Sequence, residues 1–158
     1  MVRVLFVCLG NICRSPSAEG VLRRLAEREG LASQLEFDSA GTAAYHVGEA
    51  PDPRMQESAA RRGLELAPLR ARQVESSDFS RFDYILAMDS SNLDVLRDMR
   101  PEGWSGHLGL LMEFAPEAGL ASVPDPYYGG DAGFERVLDL LEEAGEELIA
   151  YLRRRHRL

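Results

Sequence analysis

Lysine is absent from this chain of 158 residues, so all 18 basic side chains are arginine. The absence excludes chemistry that requires a lysine amine, such as Schiff-base formation, and it excludes the ATP-binding loop G-x-x-x-x-G-K-[ST]. The 26 acidic side chains outnumber the basic ones and give a formal net charge of −8. Because affinity for a nucleic-acid backbone comes from surplus positive charge, we predict no nucleic-acid partner.

Long hydrophobic runs are also missing. The apolar run at residues 1–7 is too short for a signal peptide or a membrane span, and no later run approaches 18 residues, so we predict a cytoplasmic protein without a membrane partner. The two cysteines, Cys8 and Cys13, do not form the framework of a disulfide-stapled secreted domain. The three histidines show no ligand spacing with them, which predicts no metal site. A catalytic or redox role for the cysteines is the better hypothesis.

Short β-type runs alternate with helix-period segments along the chain, a pattern that predicts an α/β domain with a parallel sheet. The apolar content of 45% is enough for one core, so residues 1–158 are predicted to form a single domain. Strands are predicted at residues 2–7, 35–40, 82–88 and 107–111, and helices at residues 16–29, 53–63 and 131–155. A further helix is predicted to follow its N-cap Asp89, with Leu93, Val95 and Leu96 among its apolar positions.

The residues between the first strand and the first helix read Cys8-Leu9-Gly10-Asn11-Ile12-Cys13-Arg14-Ser15, followed by Pro16. Ligands of an open parallel sheet bind beyond the carboxyl ends of its strands, and a loop that enters a helix points several amide N–H groups at one spot. Gly10 permits a positive φ, and Asn11 tolerates the left-handed conformation and can hydrogen-bond to nearby backbone. The loop therefore predicts a phosphate-sized anion site.

The same loop explains the first cysteine. Amide dipoles, a helix N-terminus and the adjacent Arg14 all favour the thiolate of Cys8, which is the nucleophilic form. Arg14 supplies a planar fork of donors that fits two oxygens of a phosphoryl group, and Ser15 can donate its hydroxyl to the sulfur. Nucleophilic attack on a phosphoryl group is the predicted chemistry.

The sequence from Cys8 to Pro16 resembles the phosphate loop of the low-molecular-weight protein tyrosine phosphatases. Four further segments are similar to family segments in the family order, namely Ser39-Ala40-Gly41-Thr42, Pro51-Asp52-Pro53-Arg54, the segment at residues 82–89 and Val123-Pro124-Asp125-Pro126-Tyr127-Tyr128-Gly129. The resemblance implies a four-stranded parallel sheet with helices on both faces and no cofactor. It also implies metal-independent hydrolysis of phosphotyrosine or small aryl phosphates through a phosphocysteine, inhibited by phosphate and vanadate, and we expect a monomer.

The resemblance also implies roles for single residues. Asp125 would be the general acid and then the general base, a pair of tasks that one carboxyl can perform in turn. Asn11 and Ser15 would organise the loop, and Asp89 would support it from behind. The slot for an aromatic leaving group would be formed by Tyr45, Tyr127, Tyr128, Leu9 and Ile12.

Several alternatives stay open at this stage. Cys13 either packs in the loop or forms a reversible disulfide with Cys8. Asp89 either only caps a helix or supports the loop. Tyr127 and Tyr128 either form walls of the slot or are phosphorylation sites.

Arsenate reduction is disfavoured because residues 85–93 lack the further cysteines that it requires. A phosphoarginine phosphatase is the nearer rival, and the resemblance favours tyrosine because Ile12 stands where a Thr is frequent in that class. A phosphate-binding module without catalysis is disfavoured by the combination of nucleophile, arginine and acid.

Overall fold

The fold, seen in a computed structural model that describes residues 1–127 and 130–158, is one α/β domain. Its strands are β1 (Val2–Cys8), β2 (Leu35–Gly41), β3 (Tyr84–Ala87) and β4 (His107–Leu110), and its helices are α1 (Arg14–Arg28), α2 (Pro53–Ala60), α3 (Asp78–Arg81), α4 (Ser90–Met99) and α5 (Asp131–His156). The four strands pair in parallel in the order β2-β1-β3-β4. The predicted four-stranded parallel sheet is confirmed.

Both faces of the sheet are covered, because alternate side chains of β1 enter two different cores. Val4 and Phe6 belong to the cluster formed with α1 and α5, whereas Leu5 and Val7 belong to the cluster formed with α3 and α4. All four side chains are fully buried, and full burial of each contributes about 1.5–3 kcal/mol. This two-sided burial is why the strand reads as a continuous apolar run.

The long helix α5 buries the face that its 3.6-residue period predicts. The predicted face, which is wholly buried, consists of Phe134, Val137, Leu138, Leu141, Ala144, Leu148 and Leu152. Of the three apolar positions in α4, Leu93 and Leu96 face the core, whereas the side chain of Val95 is 40% exposed. Successive residues of a helix are rotated by 100°, so Leu93 and Leu96, three positions apart, lie on one face, and Val95 points away from that face. Among the described helices, none is long and apolar enough to cross a membrane.

Several boundaries differ from those predicted. Helix α1 begins at Arg14 rather than Pro16, helix α2 ends at Ala60, and the one-turn helix α3 was not predicted. The earlier start of α1 matters most, because it places Arg14 in the first turn, whose N–H groups have no partner within the helix.

The strand order brings the ends of β1 and β3 together at the centre of the sheet. From β1 the chain passes to β2 on one side of it, and later to β3 on its other side. The point where the connections change sides leaves a crevice at the carboxyl ends of the strands, and parallel sheets bind their ligands there. Cys8 lies at the end of β1 and Asp89 lies just beyond β3. At the end of β2, a Cβ on Gly41 would lie 2.7 Å from the carbonyl oxygen of Leu9, so only glycine lets this strand approach the loop after β1.

Asp78 is a fully buried carboxylate in α3 with a complete set of partners. It accepts hydrogen bonds from the Arg72 guanidinium at 3.0 and 3.1 Å and from the Glu75 N–H at 2.8 Å, and Arg81 pairs with it from the surface. Burial alone would raise the pKa of this carboxyl, but the hydrogen bonds from Arg72 and Glu75 outweigh burial and hold the pKa below its usual range.

Replacing Asp78 by Asn is expected to lower the free energy of unfolding by about 3 kcal/mol at neutral pH, since it leaves the Arg72 charge without its buried partner. Because the pKa is lowered in the folded state, this stability is present at neutral pH and is lost as the pH falls through the folded-state pKa. Urea unfolding at neutral and acid pH measures both effects. The matched control is Asp94→Asn, whose exposed ion pair with Arg97 should be worth under about 1 kcal/mol. Equal losses for the two variants would contradict the prediction.

Candidate active site

The sulfur of Cys8 is the centre of the site. The residue ends β1 and is only 3% exposed. Its Sγ lies 3.0 Å from the Ser15 hydroxyl oxygen and accepts a hydrogen bond from the backbone N–H of Asn11 at 3.3 Å. Both neighbouring groups can therefore donate a hydrogen bond to the sulfur.

Three backbone carbonyl groups of loop 8–15 are hydrogen-bonded to the segments that surround the loop. The carbonyl oxygens of Cys8, Leu9 and Ile12 accept from the N–H groups of Thr42, Ala43 and Asp52 at 2.8, 3.0 and 2.9 Å, respectively. Within residues 1–127 and 130–158, the N–H groups of Gly10, Ile12 and Cys13 find no protein acceptor. Amides without internal partners that precede a helix N-terminus are the groups that an anion-binding loop needs.

The left-handed residue of this loop is Asn11 and not Gly10. Asn11 has φ +58°, whereas Gly10 does not adopt the positive φ that glycine permits. Asn tolerates the left-handed conformation better than most residues do. At Gly10 the glycine leaves room for a neighbour, since a Cβ there would lie 3.0 Å from the ring of His46.

A chain of buried hydrogen bonds connects Cys8 to a carboxylate on α1. The Asn11 side-chain amide donates to Ser15 at 2.7 Å and to Ser39 at 3.1 Å. Both serine hydroxyls therefore have their own protons to donate onward. Ser39 donates to Glu19 at 2.7 Å. Ser15 has two acceptors within reach, the Cys8 sulfur at 3.0 Å and the Ala40 carbonyl oxygen at 3.4 Å, and the shorter contact is the one to the sulfur.

The two ends of the Asn11 side chain are fixed independently. Its oxygen accepts from the backbone N–H of Arg72 at 3.0 Å, which settles which end of the amide is the donor. Burial raises the pKa of Glu19, although Ser39 and the 2.6 Å ion pair with Arg23 act in the opposite direction. The predicted organising role of Asn11 and Ser15 therefore has a geometric basis, and Ser39 and Glu19 extend it.

Arg14 lies across the site from the sulfur and is only 3% exposed. Its Nη1 donates to Asp89 at 2.7 Å and to the carbonyl oxygen of Val123 at 3.1 Å, while Nη2 lies 3.7 Å from Asp125. A buried guanidinium requires such partners. One edge of the fork is thus anchored, and the other faces the acidic residue in the pocket.

Asp89 has both of the roles that the sequence left as alternatives. One carboxylate oxygen accepts from the Asn92 N–H at 2.8 Å and so caps α4, while the other accepts from Arg14. A single carboxylate therefore connects the end of β3 to the arginine of loop 8–15.

The pocket above the sulfur has a volume of about 190 Å³ and is lined by Cys8, Leu9, Gly10, Ile12, Cys13, Arg14, Tyr45, His46, Asp125 and Tyr127. Drug-sized ligands use pockets of ~300–1,000 Å³, so this one suits a single phosphorylated side chain. Tyr45 and Tyr127 form its walls, and Tyr128 lies outside the described residues.

His46 also lines the pocket. The sequence did not reveal it, because a lone histidine in a loop carries no motif. It packs between the two tyrosine rings at centroid distances of 6.5 and 6.4 Å.

Cys13 is buried in the same loop, and both cysteines are free thiols. Burial raises its pKa, and the negative charges of Asp52, Cys8 and Asp125 raise it further. Cys13 is therefore held in the neutral form. Its surroundings differ from those of the Cys8 sulfur, which has hydrogen-bond donors beside it. Within residues 1–127 and 130–158, no group of three or more His, Cys, Asp or Glu side chains is placed to hold a metal ion.

Comparison with known proteins agrees with this geometry. Residues 3–158 match the family model for low molecular weight phosphotyrosine protein phosphatases. The chain is 42% identical to YfkJ, a low molecular weight protein-tyrosine-phosphatase of Bacillus subtilis, over 100% of both chains. It is 43% identical to the human low molecular weight phosphotyrosine protein phosphatase over 85% of each. A protein tyrosine phosphatase crystal structure from Entamoeba histolytica superposes with a TM-score of 0.94 at 44% identity, covering 100% of both chains. The chain therefore belongs to the low molecular weight phosphotyrosine protein phosphatase family.

Proposed function

We propose that this protein hydrolyses phosphotyrosine and related aryl phosphomonoesters through a phosphocysteine intermediate on Cys8. The observation that carries the proposal is the arrangement around the Cys8 sulfur. The Ser15 hydroxyl and the Asn11 N–H contact the sulfur, loop 8–15 has amides without a protein acceptor among the described residues, and Arg14 and Asp125 line the same pocket. Nucleophile, anion cradle and acid are the parts that phosphoryl transfer needs.

In the first step the Cys8 thiolate attacks phosphorus in line with the ester oxygen. The S–P bond forms as the P–O bond to the leaving group breaks, and Asp125 gives its proton to the departing phenolate oxygen. The amides of loop 8–15 and the free edge of Arg14 hold the three remaining oxygens as their charge grows. The first products are the alcohol and the phosphocysteine.

In the second step Asp125, now a carboxylate, takes a proton from water as the water oxygen attacks phosphorus. The S–P bond breaks, and the Cys8 sulfur leaves as a thiolate stabilised by Ser15 and by the Asn11 N–H. Inorganic phosphate is released, and Asp125 is protonated again for the next cycle. The position of Asp125 on the exposed side of the pocket gives water access to it.

The walls of the pocket support an aromatic substrate. Tyr45 and Tyr127 offer ring faces, and Leu9 and Ile12 add apolar surface, all of which suit a phenyl ring. A phosphoarginine substrate would bring a positive guanidinium onto these apolar side chains. Phosphotyrosine is therefore the favoured substrate, and turnover of phosphotyrosine, phosphoserine and phosphoarginine peptides compares the options directly.

Cys13 is the proposed partner of Cys8 under oxidation. A peroxide would convert the Cys8 thiolate to a sulfenic acid, which then condenses with the Cys13 thiol to give a disulfide and water. The neutral, buried state of Cys13 keeps it out of the phosphoryl-transfer steps.

The purified protein tests the proposal. It should hydrolyse an aryl phosphate without added metal and in the presence of a chelator, vanadate and phosphate should inhibit it competitively, and rapid acid quenching should trap phosphate covalently on Cys8. Binding of phosphate without any turnover would instead indicate a binding module and overturn the proposal.

Asp125→Asn is expected to lower kcat/KM for phenyl phosphate by about 10²–10³-fold, because a poor leaving group depends on proton donation. An aryl phosphate with a strongly acidic leaving group should lose less than about tenfold. The control is Asp94→Asn, which makes the same change at an exposed position outside the pocket. Equal losses for both substrates would rule out Asp125 as the acid.

A further inference from the structure

Arg54 makes a set of contacts that the proposed chemistry does not use. It lies in the first turn of α2, and its Nε and Nη2 donate to both carboxylate oxygens of Asp52 at 3.1 and 2.8 Å. Asp52 is only 7% exposed, caps α2 by accepting from the Arg54 N–H, and donates its own N–H to the carbonyl oxygen of Ile12. One end of this arrangement is therefore anchored on loop 8–15.

The other end of Arg54 reaches the loop that carries the acid. Nη2 also donates to the carbonyl oxygen of Tyr127 at 3.0 Å. The guanidinium carbon lies 5.4 Å from the centroid of the Tyr127 ring and 4.9 Å from that of Phe134 on α5, both within the range of cation–π contact. Three elements thus meet on one planar group.

Tyr127 in turn orients the acid. Its backbone N–H donates to the Asp125 carboxylate at 3.0 Å, and Pro126 between them restricts the backbone. Fixing Tyr127 therefore fixes the direction of the Asp125 side chain. Other contacts also hold loop 123–127 at the site. Arg14 donates to the Val123 carbonyl and pairs with Asp125 at 3.7 Å, and the Tyr127 ring lies against His46.

We propose that Arg54 is a positioning residue that holds loop 123–127 above loop 8–15, so that Asp125 reaches the leaving-group oxygen and Tyr127 walls the slot. The proposal rests on the proposed function, since it assigns Arg54 a task in the step that uses Asp125. Arginine suits the task because one planar fork binds a carboxylate bidentately, reaches a carbonyl and still stacks on two rings. Lysine, a single point of charge, cannot make all of these contacts at once.

The experiment compares Arg54→Met and Arg54→Lys with wild type for two aryl phosphates, one with a poor leaving group and one with a strongly acidic one. Misplacing a catalytic group by about 1 Å costs up to 10²-fold, so we expect Arg54→Met to lose about tenfold more kcat/KM with the poor leaving group than with the acidic one. Arg54→Lys should show the same selectivity to a smaller extent. The matched control is Arg61→Met at the other end of α2, with a similarly exposed side chain (52% against 44%) and partners outside the pocket.

A double variant separates positioning from general destabilisation. If Arg54 acts through Asp125, Arg54→Met in the Asp125→Asn background should cause no further leaving-group selectivity. Equal losses with both substrates, or selectivity that persists in that background, would overturn the Arg54 proposal. If Asp125→Asn alone shows no selectivity, the assignment of the acid fails first and the Arg54 proposal falls with it. Selectivity in Asp125→Asn without any in Arg54→Met overturns the positioning role alone.

Discussion

Replacing Cys8 by Ser should reduce kcat by at least about 10⁴-fold and abolish the trapped phosphoenzyme, because the proposed nucleophile is a thiolate. The change preserves the shape of the loop, since the serine oxygen can still contact Ser15 and accept from the Asn11 N–H. A serine hydroxyl is nevertheless a much weaker acid than a thiol, so it is the poorer nucleophile. Asp125 is not available as its base, because the proposed step needs Asp125 as the acid.

Two measurements make this result specific to the sulfur. The Cys8→Ser protein should still bind phosphate or vanadate in a calorimetric titration, because Arg14 and the backbone N–H groups of loop 8–15 are unchanged. Cys13→Ser, the matched change at the other thiol of the loop, should still trap phosphate covalently. Retention of more than about one hundredth of the wild-type kcat by Cys8→Ser would contradict a phosphocysteine mechanism.

The part of the site that the sequence predicts is the part that lies within one continuous segment. β1, loop 8–15 and α1 follow each other directly, so periodicity and loop chemistry are enough to place Cys8, Arg14 and Ser15 on one anion site. The sheet could be predicted for the same reason, because buried parallel strands leave apolar runs that are bounded by turn residues. Asp89 as an N-cap is a further local signal, and the structure confirms it.

Contacts between distant segments left no local signal. Ser39 and Glu19 join the chain of hydrogen bonds to Cys8 only because β2 and α1 pack side by side, and a buried glutamate has no sequence pattern of its own. Arg54 resembles any surface arginine until loop 123–127 folds over it. Asp125 was found through the family resemblance, because 117 positions separate it from Cys8 and only the fold brings the two together.

Gly10 and Asn11 show that a glycine in a loop sequence can have either of two tasks. Glycine is commonly assigned to turns because it tolerates a positive φ, but here Asn11 adopts that conformation and Gly10 leaves room for the ring of His46. A glycine that clears space and a glycine that turns the chain look identical in sequence. Which of the two applies depends on a neighbour 36 positions away.

Replacing Arg14 by Lys is expected to lower kcat/KM for aryl phosphates by about 10³-fold, which is the scale on which a transition-state arginine acts in phosphoryl transfer. The guanidinium divides its donors, with Nη1 anchored on Asp89 and the Val123 carbonyl while Nη2 faces the pocket. An ammonium that keeps the 2.7 Å bond to Asp89 has no second edge left for two phosphate oxygens. Positive charge alone therefore does not replace the fork.

The measurement is kcat/KM together with the inhibition constant for vanadate, which reports the transition-state-like geometry separately from turnover. Both should weaken in Arg14→Lys, while the midpoint of thermal unfolding changes little because the buried pair with Asp89 persists. The control is Arg62→Lys, which alters an arginine that pairs with Glu135 and Asp139 outside the pocket, and its kcat/KM should match wild type. A loss of less than tenfold in Arg14→Lys would mean that charge, and not the bidentate edge, stabilises the transferring phosphoryl group.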